Sequence, residues 1–198
     1  MGRIVVTEFI SLDGVVEDPG GSEDFKYGGW SFEFDRGPEG DGFKLEETRA
    51  SEAMLLGRVT YQGFADSWPS REGEFADKFN SMPKYVVSST LTAPEWTNST
   101  VVRGDDLVEQ VSRLRQEIGG DIVVHGSVQL AQALIEHDLV DELRLMVFPV
   151  VLGTGKRLFG DPGEKKTLRL VDSKVVGDGV AIMTYAGGAG GTSSATAS

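Results

Sequence analysis

Three stretches of this chain share one form: a short apolar run that passes straight into small or polar residues opening a helix or a turn. They are residues 54–61 (MLLGRVTY), 86–90 (VVSST) and 122–134 (IVVHGSVQLAQAL). Apolar runs of this length, without polar alternation, read as strands buried on both faces, the pattern of a parallel sheet covered by helices. In open α/β sheets the ligand sits beyond the carboxyl ends of the strands. A helix that starts there turns its free N–H groups and the positive end of its dipole toward an anion. Three such ends in one chain point to one extended ligand carrying several phosphates.

The rest of the pattern fits that frame. Residues 3–10 (RIVVTEFI) are β-rich and predict a first strand. Residues 11–42 hold many glycines and Pro19 and Pro38, and predict a long loop. Helices are expected over 43–51, 58–66, 72–80, 105–118 and 128–136, the fourth capped by Asp105 and the fifth by Ser127. Further strands are expected over 53–56, 85–87, 100–103, 122–124 and 142–152, the last broken by Pro149. Residues 167–176 and 180–185 flank Gly177-Asp178-Gly179 and read as a hairpin. The expected architecture is α/β, a mixed, mostly parallel sheet flanked by helices in three layers, with an antiparallel C-terminal hairpin. Residues 1–186 are expected to form one domain, and 187–198 (GGAGGTSSATAS) a disordered tail.

Charge and composition exclude several function classes. The formal charge is −12, with Lys and Arg dispersed and never more than two in a row, so neither nucleic acid nor an anionic membrane surface is an expected partner. The chain has no Cys, which removes disulfides, thiolate chemistry and cysteine-based metal sites and points to a reducing, cytoplasmic compartment. Its two His, His125 and His137, are too few and too isolated for a zinc site. No GxGxxG, P-loop or GxSxG motif is present.

Individual residues carry two readings each. Gly57 allows close backbone approach to an anion, and also serves a tight turn. Arg58 offers a bidentate fork to phosphate, and also suits a solvated helix face. Ser88, Ser89 and Ser127 are compact hydroxyl donors or simple caps. Asp13 follows a strand in the presumed cleft and is the candidate for orienting substrate or relaying a proton, although Asp-Gly is also a common turn. His125 reads foremost as a structural histidine. Trp30 and Trp68 could wall a pocket or pack in the core.

The strings ISLDG (10–14), LLGRVTY (55–61), VVSST, VVHGS (123–127) and PVVLGTGKRLF (149–159) occur in an order that resembles the dihydrofolate-reductase-like superfamily. Within it the chain is similar to the reductase (RibD C-terminal) domain of riboflavin biosynthesis, from about Arg3 to Tyr185. The resemblance implies an NADPH-binding fold in a homodimer, with a small-molecule substrate. It implies that Gly57, Arg58 and Thr60 hold cofactor phosphates, and that Ser88 and Ser89 lie near the adenosine 2′-phosphate. Gly126 and Ser127, with Val128 behind them, match the turn under the pyrophosphate. Asp13 and Gly14 match a turn beside the nicotinamide and substrate, and Asp41 matches the pterin-binding acid by spacing. Lys156 and Arg157 belong either to a solvated loop or to a dimer interface.

The expected activity is NADPH-dependent reduction of a small heterocyclic or carbonyl/imine compound, resembling the reductase that acts on a phosphoribosylamino-uracil. A non-catalytic NADP(H)- or small-ligand-binding protein and a true dihydrofolate reductase are the alternatives. The chain departs from the riboflavin enzyme at Val124-His125-Gly126, where a Glu-Gly-Gly run is usual, and at Gly57-Arg58-Val59-Thr60, where a GAGT-like element is usual. No deaminase domain is expected ahead of residue 1.

Overall fold

A central strand flanked by polar ends organises the molecule. In the computed structural model, which describes residues 1–103, 106–160 and 164–187, β1 (Arg3–Ser11) pairs in parallel with β5 (Asp121–His125) on one side and β6 (Glu142–Phe148) on the other. Beyond β5 lie β2 (Ser51–Gly57), β3 (Lys84–Val87) and β4 (Ser99–Val102), all parallel. Beyond β6 lie β8 (Val180–Ala186) and then β7 (Arg169–Val176), both pairings antiparallel. The sheet order is β4-β3-β2-β5-β1-β6-β8-β7. The expected mixed, mostly parallel sheet with a C-terminal hairpin is present.

Strand alternation sends successive side chains to opposite faces. Ile4, Val6, Ile122 and Val124 pack with Val111 and Leu114 of α4 (Leu107–Glu117) and with Leu130 and Leu134 of α5 (Val128–Glu136). Met54, Leu56 and Val123 turn the other way, onto Tyr61 of α2 (Arg58–Ser67) and Phe79 of α3 (Glu74–Ser81). Met146, Phe148, Val176 and Ile182 close on Trp30 and on Phe43 of α1 (Gly37–Ala50). Each such aliphatic or aromatic side chain contributes about 1.5–3 kcal/mol by leaving water, and the sheet is held between two helical layers.

Several boundaries differ from the expectation, each for a local reason. The loop after β1 ends at Arg36 rather than Gly42, because α1 begins at Gly37 with Pro38 in its first turn. Glycines in that turn mask a helix start: Gly40 lies where a Cβ would come within 3.2 Å of Val176, so the sheet packs directly on the helix backbone. A 3-10 turn, Trp30–Glu33, also interrupts the loop. Strand β6 stops at Phe148, immediately before Pro149. Helix α4 is capped by Asp106, whose carboxylate accepts from the Glu109 N–H at 3.0 Å. The expected cap Asp105 lies outside the described residues, as does the tail from residue 188.

Candidate functional site

The parallel strands β1, β2, β3 and β5 all end at one cavity of about 1060 Å³. It has two halves. The first is built from the three strand-end turns. The Gly57 N–H donates to Ser127 Oγ at 2.9 Å, and the Ser127 N–H donates to Thr60 Oγ1 at 2.8 Å. The starts of α2 and α5 are thereby laced together. Neither has a side-chain cap, so the first-turn N–H groups of two helices are left for a ligand. Gly126 has φ +52°, and a Cβ on it would come within 3.2 Å of Thr60 Oγ1. Ser127 itself is left-handed, at φ 55°, a conformation that costs a non-glycine residue energy and concentrates at functional sites.

Around this cradle, Arg58 bonds Gln62 Oε1 at 2.9 Å and makes no ion pair among the described residues. Val128 lines the cavity. Ser88 Oγ accepts from the Thr90 and Leu91 N–H groups at 3.2 and 2.9 Å, which shapes the β3 end, while Ser89 stands exposed beside it. Two uncapped helix starts, an unpaired guanidinium and glycines that keep backbone accessible fit the phosphates of a dinucleotide.

The second half is made of side chains. Phe64, Trp68, Phe75 and Phe79 wall it, with Trp68 and Phe75 stacked at 5.3 Å and Phe79 tilted against the His125 ring at 5.2 Å. Arg71 lies 4.5 Å from the Trp68 ring centre. At the floor is Lys44, from α1, whose Nζ donates to Thr7 Oγ1 at 2.9 Å and to the Glu47 carboxylate. Burial alone would raise Glu47, but Lys44 and Arg144 outweigh it and keep the carboxyl below its ordinary range. Burial, helped by Lys44, pushes His125 down to about 3, so its imidazole is neutral, and its Nε2 has no partner among the described residues. On the opposite face of β1, Glu8 reaches beneath the β5–α5 turn, where burial holds its carboxyl well above the usual range.

Gly57, Arg58, Thr60, Ser88, Ser89, Gly126, Ser127 and Val128 all line this cavity. Asp13 and Gly14 do not. The Asp13 carboxylate accepts from Ser11 Oγ at 2.7 Å and from the Leu152 and Gly153 N–H groups at 3.1 and 2.8 Å. Those bonds, Ser11 foremost, hold it at about 2. Gly14, at φ +84°, offers its carbonyl to the Leu158 N–H. The pair anchors the 150–158 loop. Asp41 is likewise outside, paired with Arg36 at 2.7 Å on the surface. Trp68 walls the cavity, whereas Trp30 is core, with its Nε1 donating to the Glu17 carbonyl. Lys156 lines the cavity and pairs with Glu17 at 2.8 Å.

Sequence reasoning missed Thr7, Glu8, Lys44, Glu47 and the Phe64, Phe75 and Phe79 wall. One signal was present: Thr7-Glu8 interrupts the apolar run of a central strand, and buried polar residues there need a reason.

A model of the RibD C-terminal domain matches residues 3–182. The chain belongs to the RibD C-terminal domain family. This family is associated with reductase activity, and its dihydrofolate-reductase-like fold is the one described above. The chain is similar to two uncharacterized proteins of Bacillus subtilis (strain 168). With YyaP it shares 29% identity over 188 residues, 92% of this chain and 94% of that protein. With YwjB it shares 28% over 171 residues, 86% and 90% of the two chains. Among solved structures, a putative riboflavin biosynthesis protein from Shewanella sp. PV-4 superposes with a TM-score of 0.75 at 23% identity, covering 93% of this chain and 98% of its own. A pyrimidine reductase-like protein from Corynebacterium diphtheriae gives 0.64 at 12% identity, with 93% and 91% covered. Among the described residues of this RibD C-terminal domain, no helix is long and apolar enough to cross a membrane.

Proposed function

We propose that the protein is an NADPH-dependent reductase of a small heterocyclic or carbonyl/imine substrate. The observation that carries this reading is the cavity itself: two uncapped helix starts and a guanidinium without an ion pair among the described residues open into an aromatic chamber with a buried ammonium at its floor. Arg58 suits the 2′-phosphate, which favours NADPH over NADH. Bound nicotinamide supplies a hydride.

The chain's own residues then supply position and a proton. Hydride addition to C=N or C=O leaves negative charge on the heteroatom. Lys44 has three N–H donors and commits two of them, to Thr7 and Glu47. The third can hold that charge and pass a proton to it. Glu47, itself tied to Arg144 at 3.4 Å, keeps the ammonium in place. The walls of Phe64, Trp68, Phe75 and Phe79 hold a flat substrate and exclude water, which strengthens the Lys44 contact.

Titrating NADPH into the protein, with NADH as control, tests the reading. Saturable, NADPH-selective binding and NADPH oxidation with a pterin, pyrimidine or carbonyl panel are expected. No saturable binding of either cofactor would sink it, and binding without oxidation of any panel member would favour a non-catalytic binder.

The reading includes a homodimer in a reducing cytoplasm. Strand β7 is an exposed sheet edge along Arg169–Val175. Antiparallel pairing with a second copy about Ser173 sets Asp172 opposite Lys174 and Val171 opposite Val175, a self-complementary edge. Sedimentation of the wild type should give a dimer, Asp172→Lys a monomer, and Asp172→Lys with Lys174→Asp a dimer again; a monomeric wild type ends this part of the reading.

A further inference from the structure

Glu8 is a charged-type side chain in the middle of a buried strand, and the mechanism above leaves it unused. It is 4% exposed, lines the cavity, and its Oε1 has no hydrogen-bond partner among the described residues. Its carboxyl sits beneath the β5–α5 turn, close enough to Gly126 for that amide to oppose the effect of burial. A polar atom buried without a partner is costly, at about 1–3 kcal/mol in ordinary cases, so an orphan facing a cavity points to a ligand.

Which part of the ligand follows from the sheet. Thr7 and Phe9 turn toward Lys44 and the aromatic chamber. Glu8, between them, turns to the α5 face, away from that chamber. Adenosine toward β3 and phosphates at the ends of β2 and β5 leave the far end of the dinucleotide at β1, since the order is β3-β2-β5-β1. That end is the nicotinamide ring. Its carboxamide carries one acceptor and a donor group in one plane, and a protonated carboxyl carries the matching donor and acceptor.

We propose that the Glu8 carboxyl binds the nicotinamide carboxamide, donating one hydrogen bond and accepting another. The proposal rests on the NADPH reading above and adds the residue that orients the ring. Burial favours the protonated carboxyl, against the nearby Lys44 ammonium and with help from Glu47. The other charged groups lining the cavity are Glu17 and Lys156, which pair with each other at 2.8 Å, and Asp18, Glu23, Arg58 and Arg71. Once ionised, Glu8 would lose its donor and would face the ligand phosphates with like charge.

The test is a set of titrations with NADPH and with its acetylpyridine analogue, in which a methyl group replaces the carboxamide nitrogen. The proteins are the wild type, Glu8→Gln and Glu8→Leu, all as full chains. The wild type should prefer NADPH by about tenfold, the worth of one well-made hydrogen bond. Glu8→Gln keeps a donor and an acceptor and should keep most of that preference. Glu8→Leu should bind the two alike. Raising the pH should weaken wild-type binding of NADPH and leave Glu8→Gln flat, an arm that stands even if Glu8→Leu does not fold. Wild-type preference retained in Glu8→Leu, or the same pH slope in Glu8→Gln, overturns the proposal while NADPH binding stands. No NADPH binding by the wild type overturns the function reading beneath it.

Discussion

The two halves of the cavity are built in different ways. The phosphate half is made of three short segments in which strand end, turn and helix start are contiguous, and its donors are mainly backbone N–H groups. The aromatic half is made of single side chains brought from β1, α1, α2, α3 and β5, and its buried ammonium is held by Thr7 of β1 and by Glu47 of its own helix. Backbone donors survive most substitutions, because side chains only position them. A buried ammonium has no substitute. Loss of a side chain from the aromatic half should therefore stop chemistry while leaving cofactor bound, and the phosphate half should show the reverse.

The largest effect is expected at Lys44. Lys44→Met should lower kcat by about 10²–10⁴-fold, the range for a positioned proton donor, and should leave the NADPH dissociation constant within about threefold. Steady-state turnover on the best panel substrate, beside a cofactor titration, checks both. A matching loss of NADPH affinity would show that the halves are not separable. Lys84 is the contrasting buried lysine. Its Nζ donates to the Asn80, Met82 and Thr97 carbonyls at 2.9, 2.9 and 3.0 Å, and burial draws it down to about 8. With all three donors committed away from the cavity, its role is structural.

Next comes Arg58. Arg58→Ala should weaken NADPH by about 10–100-fold, since a charged hydrogen bond to phosphate is worth about 1.5–3 kcal/mol, and should barely move NADH. Equal losses would mean that Arg58 does not read the 2′-phosphate. Ser127→Ala should do less. It removes the acceptor for the Gly57 N–H and loosens the lacing of α2 to α5, at about three- to tenfold in affinity for both cofactors alike.

How far each half could be read in advance follows the same division. The sheet, the order of elements and the three strand-end turns were legible because apolar period and turn chemistry are local properties of the chain. Gly57, Ser88 and Gly126 stand next to the strands that position them. Lys44 was not legible: it sits on an expected helix, 43–51, and nothing local says that it meets Thr7, 37 positions away. Phe75 and Phe79, four positions apart on the expected helix 72–80, share one helix face, and nothing local marks that face as a cavity wall. Asp13 is the opposite case. Its motif is local and clear, yet the partners that occupy its carboxylate, Leu152 and Gly153, lie 139 and 140 positions on.

That placement makes Asp13 the smallest perturbation of ligand chemistry and a clean probe of stability. Its carboxyl, held at about 2 in the folded state by Ser11 and two loop amides, ionises near 3.9 when the chain is unfolded. A folded value below the unfolded one means the unfolded state binds more protons in between, so this stabilisation is complete at neutral pH and fades as the pH falls from about 4 toward 2. Asp13→Asn removes it. The variant should melt a few degrees below the wild type at pH 7, and the gap should narrow over that acidic window, read by thermal melts across pH. Turnover and NADPH affinity at pH 7 should change less than about threefold, because the loop between Pro149 and Leu158 still has Arg157 bonded to the Asp13 carbonyl at 2.9 Å. A large fall in kcat with unchanged melting would return Asp13 to the reacting centre and erase the division between the halves.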